Sequence, residues 1–346
     1  DLSNVTKTPV ILVVSCKGKS QSVAAEINGF LSFRENQIKG VILNGVSAES
    51  YPMYRKIIET HTPISVLGYL PYLPQVLIES RHLGLVTADE IDSLQKKMEL
   101  LGNLATETID LTRLIQIAQQ AKQISCPSEE RTPLGDVLIG VAMDAAFCFY
   151  YADNLDLLQS FGAKLVYFSP LEDPLLPQKL DGIIFGGGYP ELYAEKLSKN
   201  RSFLDSLTNT AKQGIPIYAE CGGWMYLQET LTDAQKNCYP MAGILSGNTQ
   251  MTERLHHFGY VTLTAKTDTL LCKKGAQIHA HEFHYSDSDG NGDAFSAEKM
   301  NGKNWECFQQ TDHILAGYPH LHFYGNIEFA KQFVKKCLDF HQKNQK

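Results

Sequence analysis

The chain has 346 residues, of which 43% are hydrophobic and 20% are charged, as expected for a globular protein of two domains. Its formal net charge of −7 argues against a general binder of nucleic acid or of anionic membranes. No apolar run approaches the roughly 20 residues of a membrane helix, and residues 1–9 lack a signal-peptide pattern. The eight cysteines are scattered without a Cys-x-x-Cys pair, which indicates reduced thiols and a cytoplasmic location.

Strand and helix patterns alternate through the first third of the chain. The continuous apolar run from Pro9 to Ser15 predicts a strand that is buried on both faces. Further strands are predicted at 39–44 and 64–70, with helices at 23–33 and 51–60. This βαβαβ order is the signature of a doubly wound parallel sheet. Residues 87–123 then have helical periodicity.

A linker is predicted at 126–136, which is polar and contains two prolines. After it the α/β alternation resumes, with strands at 137–143, 165–169, 182–185 and 215–219 and helices at 150–161 and 197–213. The simplest organisation is therefore two α/β domains, residues 1–125 and 137–346, each built on a doubly wound sheet.

The most informative stretch is Tyr218–Tyr226, which places Cys221 at the end of an apolar strand with two glycines behind it. Small residues allow a sharp strand-to-helix turn from which the side chain projects. The backbone N–H of Gly222 would then point at the group that the sulfur attacks. Cys221 is therefore predicted to be an exposed nucleophile beside an oxyanion donor.

Three consecutive glycines, Gly186–Gly188, follow another predicted strand. Their unblocked N–H groups could supply a second oxyanion donor, with a phosphate cradle or a flexible turn as alternatives. A thiol nucleophile also needs a base, and His320 near the end of the chain is the candidate. His322 could orient that base, although a histidine satisfied by local contacts is the alternative for both.

The segment 279–285 is rich in histidine, but it is not a His-Glu-x-x-His zinc motif. In an extended strand, His279 and His281 would lie on one face and Glu282 and His284 on the other. We therefore favour the lining of a polar pocket over a metal site.

Several motifs together resemble the cobyrinic acid a,c-diamide synthase family. They are Phe185–Glu191 (Phe-Gly-Gly-Gly-Tyr-Pro-Glu), Ala219–Gly223, His281–Ser286 and Tyr318–Phe323, with Gly40–Asn44 and Glu79–Leu85 in the first segment. The resemblance implies that residues 1–125 are the C-terminal part of an ATP-dependent synthetase domain of the P-loop, dethiobiotin-synthetase-like type. A class I-like glutamine amidotransferase domain would follow in residues 137–346.

The resemblance also implies the chemistry. Cys221 would attack the side-chain amide of glutamine, His320 would act as the base, and the ammonia would amidate a carboxylate activated by ATP with Mg²⁺. Residues implied at the glutamine site are Gly187, Gly188 and Gly222, with His322 where other class I enzymes have the acid after the base. The expected partners are glutamine and a cobyrinate-like tetrapyrrole, and a homodimer is the expected assembly.

The chain departs from the family pattern in its first segment. Gly18-Lys19-Ser20 is not the end of a P-loop, since Val13 stands where that loop needs glycine, and Ser15 replaces the usual aspartate. We therefore expect a chain shortened at its N-terminus or one that has lost ATP chemistry. Asn44 resembles the asparagine that contacts adenine in related folds, with a simple turn residue as the alternative.

Two other functions remain open at this point. Close relatives of the family act on nickel-sirohydrochlorin, and the sequence does not separate nickel from cobalt substrates. A remnant that keeps only glutaminase activity or a regulatory role is the other alternative.

Overall fold

The computed structural model describes residues 2–78, 80–81, 84–85, 91–125 and 131–344. The chain forms two compact units, Asp1–Ser128 and Glu129–Lys346. Their boundary falls inside the predicted linker, of which residues 126–130 lie outside the described part, as do Glu79 and residues 82–83 of the synthetase signature. None of the described helices has the length and apolar character needed to cross a membrane.

The first unit contains a three-stranded parallel sheet with the order β1-β2-β3. Its strands are Val10–Ser15 (β1), Ile38–Asn44 (β2), Ser65–Leu70 (β3), Ser80–Arg81 (β4) and Gly84–Leu85 (β5). Its helices are Leu2–Thr6 (α1), Ser22–Phe33 (α2), Tyr51–His61 (α3), Leu94–Thr108 (α4) and Leu111–Ala118 (α5). The predicted βαβαβ order is confirmed by β1, α2, β2, α3 and β3.

The core of this unit lies on the central strand. Val41 and Leu43 of β2 are fully buried and belong to one cluster with Ile27 of α2 and Ile58 of α3. The prediction that β1 is buried on both faces is wrong, because the Val13 side chain is 60% exposed. The reason is its place in the sheet: among the described strands β1 pairs only with β2, so it forms an edge.

The predicted helical region 87–123 contains two helices in its described part, α4 and α5. They are separated at Asp110, whose side chain accepts a hydrogen bond of 2.8 Å from the backbone N–H of Arg113. An aspartate in this position is a favoured N-cap, so it begins a new helix and does not continue the previous one.

The second unit is built around a six-stranded sheet with the order β16-β17-β9-β8-β6-β7. Its strands run parallel except for the antiparallel pair β16 and β17. They are Val137–Ala142 (β6), Ala163–Phe168 (β7), Gly182–Phe185 (β8), Ile217–Glu220 (β9), Gln309–Gln310 (β16) and Ile314–Gly317 (β17). The helices of the unit are Ala152–Ser160 (α6), Ala194–Lys199 (α7), Arg201–Lys212 (α8), Gly222–Leu227 (α9) and Glu328–Asn344 (α10).

A second, mostly antiparallel sheet is the feature that the sequence did not predict. Its strands follow the order β11-β10-β12-β13-β18, and β14 and β15 extend it from β12. They are Thr230–Thr232 (β10), Cys238–Pro240 (β11), Asn248–Ala265 (β12), Gln277–Ser288 (β13), Phe295–Glu298 (β14), Asn304–Cys307 (β15) and His320–Leu321 (β18). One hydrophobic cluster joins Val141 of β6 to Leu263 of β12, Ile278 of β13 and Phe333 of α10, so this sheet packs on the parallel one.

The helix predicted at 197–213 is divided in two. Asn200 lies between α7 and α8, and its side-chain amide donates hydrogen bonds of 2.9 Å to the carbonyl oxygens of Pro170 and Asp173. Asparagine often bonds to backbone groups in this way and interrupts a helix.

A close backbone approach in the first unit can be tested at Gly68, where φ is +151°. A methyl group there would lie 2.3 Å from the carbonyl oxygen of Thr108. We expect Gly68→Ala to lower the free energy of opening of strands β2 and β3 by about 1–3 kcal/mol, the usual cost of overpacking. Hydrogen exchange of peptides from 38–70, followed by mass spectrometry, measures this.

Gly29→Ala is the matched control, because a methyl group in that position of α2 meets only open space. It should instead gain up to about 1 kcal/mol from helix propensity. Unchanged protection of peptides 38–70 in Gly68→Ala would show that the approach to Thr108 is not a packing constraint.

Candidate active site

Cys221 lies in the turn between β9 and α9. Its backbone has φ 46° and ψ −107°, a conformation that a residue with a side chain rarely adopts and that is typical of strained functional turns. The turn is fixed by two hydrogen bonds: the Cys221 N–H donates to the carbonyl of Gly317 at 2.7 Å, and its carbonyl accepts from Met225 at 3.0 Å. The predicted strand-to-helix turn is therefore confirmed.

The prediction that the thiol is exposed is wrong, because Cys221 is only 5% exposed. The glycine-rich segment after β8 packs against the turn. A methyl group on Gly222 would lie 3.1 Å from the backbone nitrogen of Gly188 and 2.8 Å from Pro190. The Gly223 N–H also donates to the carbonyl of Gly186 at 2.9 Å.

The same contacts bring the backbone of Gly188 next to that of Gly222, the residue that directly follows Cys221. Two neighbouring N–H donors next to a nucleophile are the arrangement that stabilises an oxyanion. Gly187 instead makes room for the base, since a methyl group there would lie 2.5 Å from Cε1 of His320. The structure thus groups Gly187, Gly188 and Gly222 around Cys221, and their roles stay a prediction.

The glycine segment is held by the loop that follows β6. Tyr150 accepts a hydrogen bond of 2.7 Å from the N–H of Gly186, and the N–H of Phe149 donates to the carbonyl of Gly187 at 3.0 Å. The Tyr189 N–H donates to the carbonyl of Ala146 at 3.0 Å. These bonds fix the backbone on both sides of Gly188, so its amide is oriented before any ligand binds.

His320 lies on β18, opposite His281 of β13, with its side chain 14% exposed. Its Nδ1 is 3.2 Å from Oε2 of Glu220, and the thiol of Cys221 lies within hydrogen-bonding reach of the ring. Because Nδ1 faces Glu220, Nε2 is the atom left to face the thiol. The structure thus brings Cys221 and His320 together, and their catalytic roles stay a prediction.

Burial disfavours the charged imidazole, but the hydrogen bonds and charges of Cys221 and Glu220 outweigh it and raise the pKa of His320 from 6.5 to about 10. The folded chain therefore holds this proton more tightly than the unfolded chain. The resulting stabilisation of the fold is fully present below pH 6.5 and is lost as the pH rises through about 10.

Glu220 is the functional residue that sequence reasoning missed. It is the last residue of β9 and is 7% exposed. Its Oε1 accepts hydrogen bonds from the hydroxyl of Tyr218 and, at 3.0 Å, from the backbone N–H of Leu321. The sequence did contain a signal for Glu220, because a glutamate ends the apolar strand next to the nucleophile. Glutamate is almost never buried without partners, so such a position indicates a paired carboxylate.

His322 does not occupy the orienting position predicted for it. Its Nε2 is 3.6 Å from Oδ2 of Asp153, and its ring packs edge-on against Tyr151 with centroids 5.0 Å apart. Strand alternation would place residues 320 and 322 on one face, but β18 ends at Leu321 and the chain turns at Phe323–Gly325, while Glu220 fills the space beside His320. The contact that orients the ring therefore comes from the nucleophile's own strand.

Asn154 of α6 is a second residue that the sequence did not indicate. It is 8% exposed. Its side chain donates a hydrogen bond of 2.6 Å to the carbonyl of Leu321 and accepts one of 2.8 Å from the N–H of Phe323. Both bonds go to the segment immediately after His320, so Asn154 fixes the backbone that carries the base.

The histidine-rich segment forms part of β13, and its predicted alternation is confirmed. His279 is exposed and His281 half-buried on one face, whereas Glu282 and His284 are buried on the other. Across the part of the chain that the structure describes, no group of three or more histidine, cysteine or acidic side chains is arranged to hold a metal ion.

Asn44, the predicted nucleotide contact, is exposed at the carboxyl end of β2. Ligands of open parallel sheets bind at this edge, and the contact of Asn44 with a nucleotide stays a prediction.

Residues 138–327 match the CobB/CobQ-like glutamine amidotransferase domain, and residues 1–80 match an AAA domain. The cobyrinate a,c-diamide synthase of Listeria monocytogenes serotype 4b (strain F2365) is 43% identical over 335 residues, which span 94% of this chain and 74% of that protein. The cobyrinate a,c-diamide synthase of Clostridium tetani (strain Massachusetts / E88) is 39% identical over 346 residues, 96% of this chain and 77% of that protein.

Among solved structures, PurLQS from Thermotoga maritima aligns with 61% of this chain and 100% of its own, at 14% identity and a TM-score of 0.40. This likeness is too low to carry an argument about fold or function.

The packing of the His320 ring against Gly187 can be tested by adding a methyl group at Gly187. We expect Gly187→Ala to push the imidazole away from Cys221 and Glu220, because the added methyl group would lie 2.5 Å from Cε1. The pKa of His320 should then fall from about 10 toward 6.5. An NMR titration of ¹³C-labelled histidine side chains, assigned with His320→Gln, measures it.

Gly102→Ala is the control, since a methyl group there meets only open space on α4. It should leave the titration of His320 unchanged. A His320 resonance that titrates identically in wild type and Gly187→Ala would contradict the packing described here.

Proposed function

The chain belongs to the cobyrinate a,c-diamide synthase family, and from this we propose that it amidates the a and c carboxylates of cobyrinate with ammonia from glutamine. The observation that carries the glutamine-hydrolysing half is the buried group of Cys221, His320 and Glu220 beside two backbone amides. A thiol, a base, an orienting acid and oxyanion donors are the complete set that acyl transfer from an amide requires.

In the first step, Sγ of Cys221 attacks the side-chain amide carbon of glutamine beside His320, which already holds its proton below a pH of about 10. The carbonyl oxygen gains negative charge, which the N–H groups of Gly188 and Gly222 stabilise. The carbon–nitrogen bond then breaks as His320 gives its proton to the departing nitrogen, which leaves as ammonia. The product on the enzyme is a γ-glutamyl thioester of Cys221.

In the second step, water replaces the thiol. His320 takes a proton from the water as it attacks the thioester carbon, and the same oxyanion donors stabilise the intermediate. The carbon–sulfur bond then breaks, which releases glutamate and restores the sulfur of Cys221 beside protonated His320. Glu220 accepts the hydrogen bond from Nδ1–H throughout, so that Nε2 keeps facing the reacting atoms.

The synthetase half needs ATP, which we propose binds with Mg²⁺ in the first unit. When bound, ATP supplies activation of a substrate carboxylate for attack by ammonia. Asn44 is the residue that we propose contacts the nucleotide, since its side chain is exposed at the carboxyl edge of the parallel sheet.

Removal of the thiol separates the two half-reactions. We expect Cys221→Ala to lower glutamine hydrolysis by roughly four orders of magnitude or more, the scale on which enzymes lose activity with their nucleophile. Diamide formation should still proceed with ammonium chloride in place of glutamine. Ammonia release and the mass of the tetrapyrrole product, with ATP, Mg²⁺ and cobyrinate present, measure both.

Cys238→Ala is the matched control, because Cys238 is an exposed free cysteine. It should hydrolyse glutamine at the wild-type rate. Retained glutaminase activity in Cys221→Ala would remove Cys221 from the nucleophile's role, and wild type that releases no ammonia from glutamine would overturn the proposed function.

The orienting role of Glu220 predicts a change in the pH profile. Wild type should keep kcat/KM for glutamine up to a basic limb near pH 10, where His320 loses its proton. In Glu220→Gln a charged hydrogen bond is lost, so the pKa of His320 falls and the basic limb moves down by about one to two pH units. The profile of kcat/KM between pH 6 and 10.5 measures the shift.

Glu298→Gln, which neutralises an exposed carboxylate at the end of β14, should not move the limb. An unchanged basic limb in Glu220→Gln would show that this carboxylate does not control the protonation of His320.

A further inference from the structure

The buried face of β13 changes from apolar to polar along its length. Two apolar residues are followed by four polar ones, all at alternate positions of one face: Ile278, Ala280, Glu282, His284, Ser286 and Ser288. The last four are 1%, 2%, 1% and 8% exposed, in that order. Polar side chains cost free energy in such positions unless each is hydrogen-bonded, so the contacts of these four residues decide what the polar row does.

Glu282 and His284 form a closed pair inside the unit. Nε2 of His284 is 3.2 Å from Oε2 of Glu282, and the indole N–H of Trp305 donates to Oε1 at 3.1 Å. Nδ1 of His284 is 2.9 Å from the carbonyl oxygen of Ser286, which can only accept, so Nδ1 carries hydrogen.

This pair supports the loop that carries the base. The ring of His284 lies flat on the ring of Tyr318, with centroids 3.5 Å apart and planes 5° from parallel. Tyr318 is 5% exposed and stands two residues before His320. It directly follows Gly317, whose carbonyl accepts the N–H of Cys221 at 2.7 Å. Any shift of the Tyr318 ring would therefore move the backbone on which both reacting groups depend.

The polar row also reaches the helix that carries the nucleophile. The hydroxyl of Ser286 is 3.8 Å from the sulfur of Met225 on α9, and Gln228, just after α9, donates to the hydroxyl of Ser288 at 2.9 Å. The ring of Trp224 meets Tyr318 edge-on, with centroids 4.5 Å apart. The row therefore lies against the α9 side and the β18 side of the site together.

We propose that Glu282 and His284 are positioning residues for glutamine hydrolysis, which set the separation of His320 from Cys221 by fixing the ring of Tyr318. Both residues act through Tyr318: His284 stacks on its ring, and Glu282 holds His284. This inference rests on the proposed function, because the separation matters only if the two groups exchange a proton.

The test compares Glu282→Gln and His284→Phe with wild type. Glu282→Gln keeps the shape and removes the charge, whereas His284→Phe keeps a flat ring and removes both hydrogen bonds. We expect kcat for glutamine hydrolysis to fall by about 100-fold in His284→Phe, the effect of a misplacement near 1 Å, with KM within twofold of wild type. Glu282→Gln should give a smaller fall of the same kind.

A purely structural role is distinguished by His320 itself. As its ring retreats from Cys221 and Glu220, the basic limb of kcat should move below that of wild type, which a loss of stability alone would not cause. His279→Phe is the matched control, because this histidine lies on the exposed face of the same strand. It should change neither kcat nor the limb.

Two results would overturn the inference. One is unchanged kcat in both variants, and the other is a fall in kcat with an unmoved basic limb. If a variant does not fold, Tyr318→Leu, which removes the stacked ring and leaves the pair intact, carries the same expectation. Should wild type release no ammonia, the NMR titration of His320 in these variants still tests positioning, so failure of the proposed function and failure of this inference are separate outcomes.

Discussion

The hydrogen bond between the carboxylate of Glu220 and the imidazole of His320 joins the two elements that carry the reacting groups. Glu220 precedes Cys221 in the chain, so the backbone of β9 already fixes the carboxylate relative to the thiol. The same carboxylate accepts from the N–H of Leu321, which ties it to the strand of His320 as well as to its ring. The distance between nucleophile and base is thus set by short covalent paths and two hydrogen bonds.

Much of the surrounding structure buries this contact and supplies hydrogen bonds to its polar atoms. A buried carboxylate is costly unless donors surround it, and Glu220 has the hydroxyl of Tyr218, one backbone N–H and the imidazole. Asn154 fixes the segment after the base, and the loop after β6 fixes the glycine segment. Backbone strain at Cys221 and buried polar groups occur together here, as expected at a functional site.

The parts that could be predicted from the sequence depend on local patterns. Alternating apolar runs gave the order of β1 to β3 and of β6 to β9, and two glycines after an apolar strand predicted the turn at Cys221. Alternation also placed Glu282 and His284 on one face of β13. Each of these properties is decided by residues within a few positions of one another.

The parts that failed depend on neighbours in space. The pairing of β12, β13 and β18 joins segments far apart in the chain, and weak strand patterns do not specify such partners. Exposure of Val13 follows from the edge position of β1, and burial of Cys221 follows from packing of the glycine segment. Glu220 was read as part of a motif, but its role becomes visible only when His320 is placed beside it.

The enclosure of Cys221 has a consequence for its chemical survival. Oxidation of a cysteine depends on access as well as on thiolate character, and a reactive thiol in an open cleft is readily converted to sulfenic acid or a mixed disulfide. With 5% of the residue exposed, Cys221 presents little surface to peroxides or bulky disulfides. The glycine-rich segment that packs against the turn of Cys221 therefore also shields the thiol from oxidants.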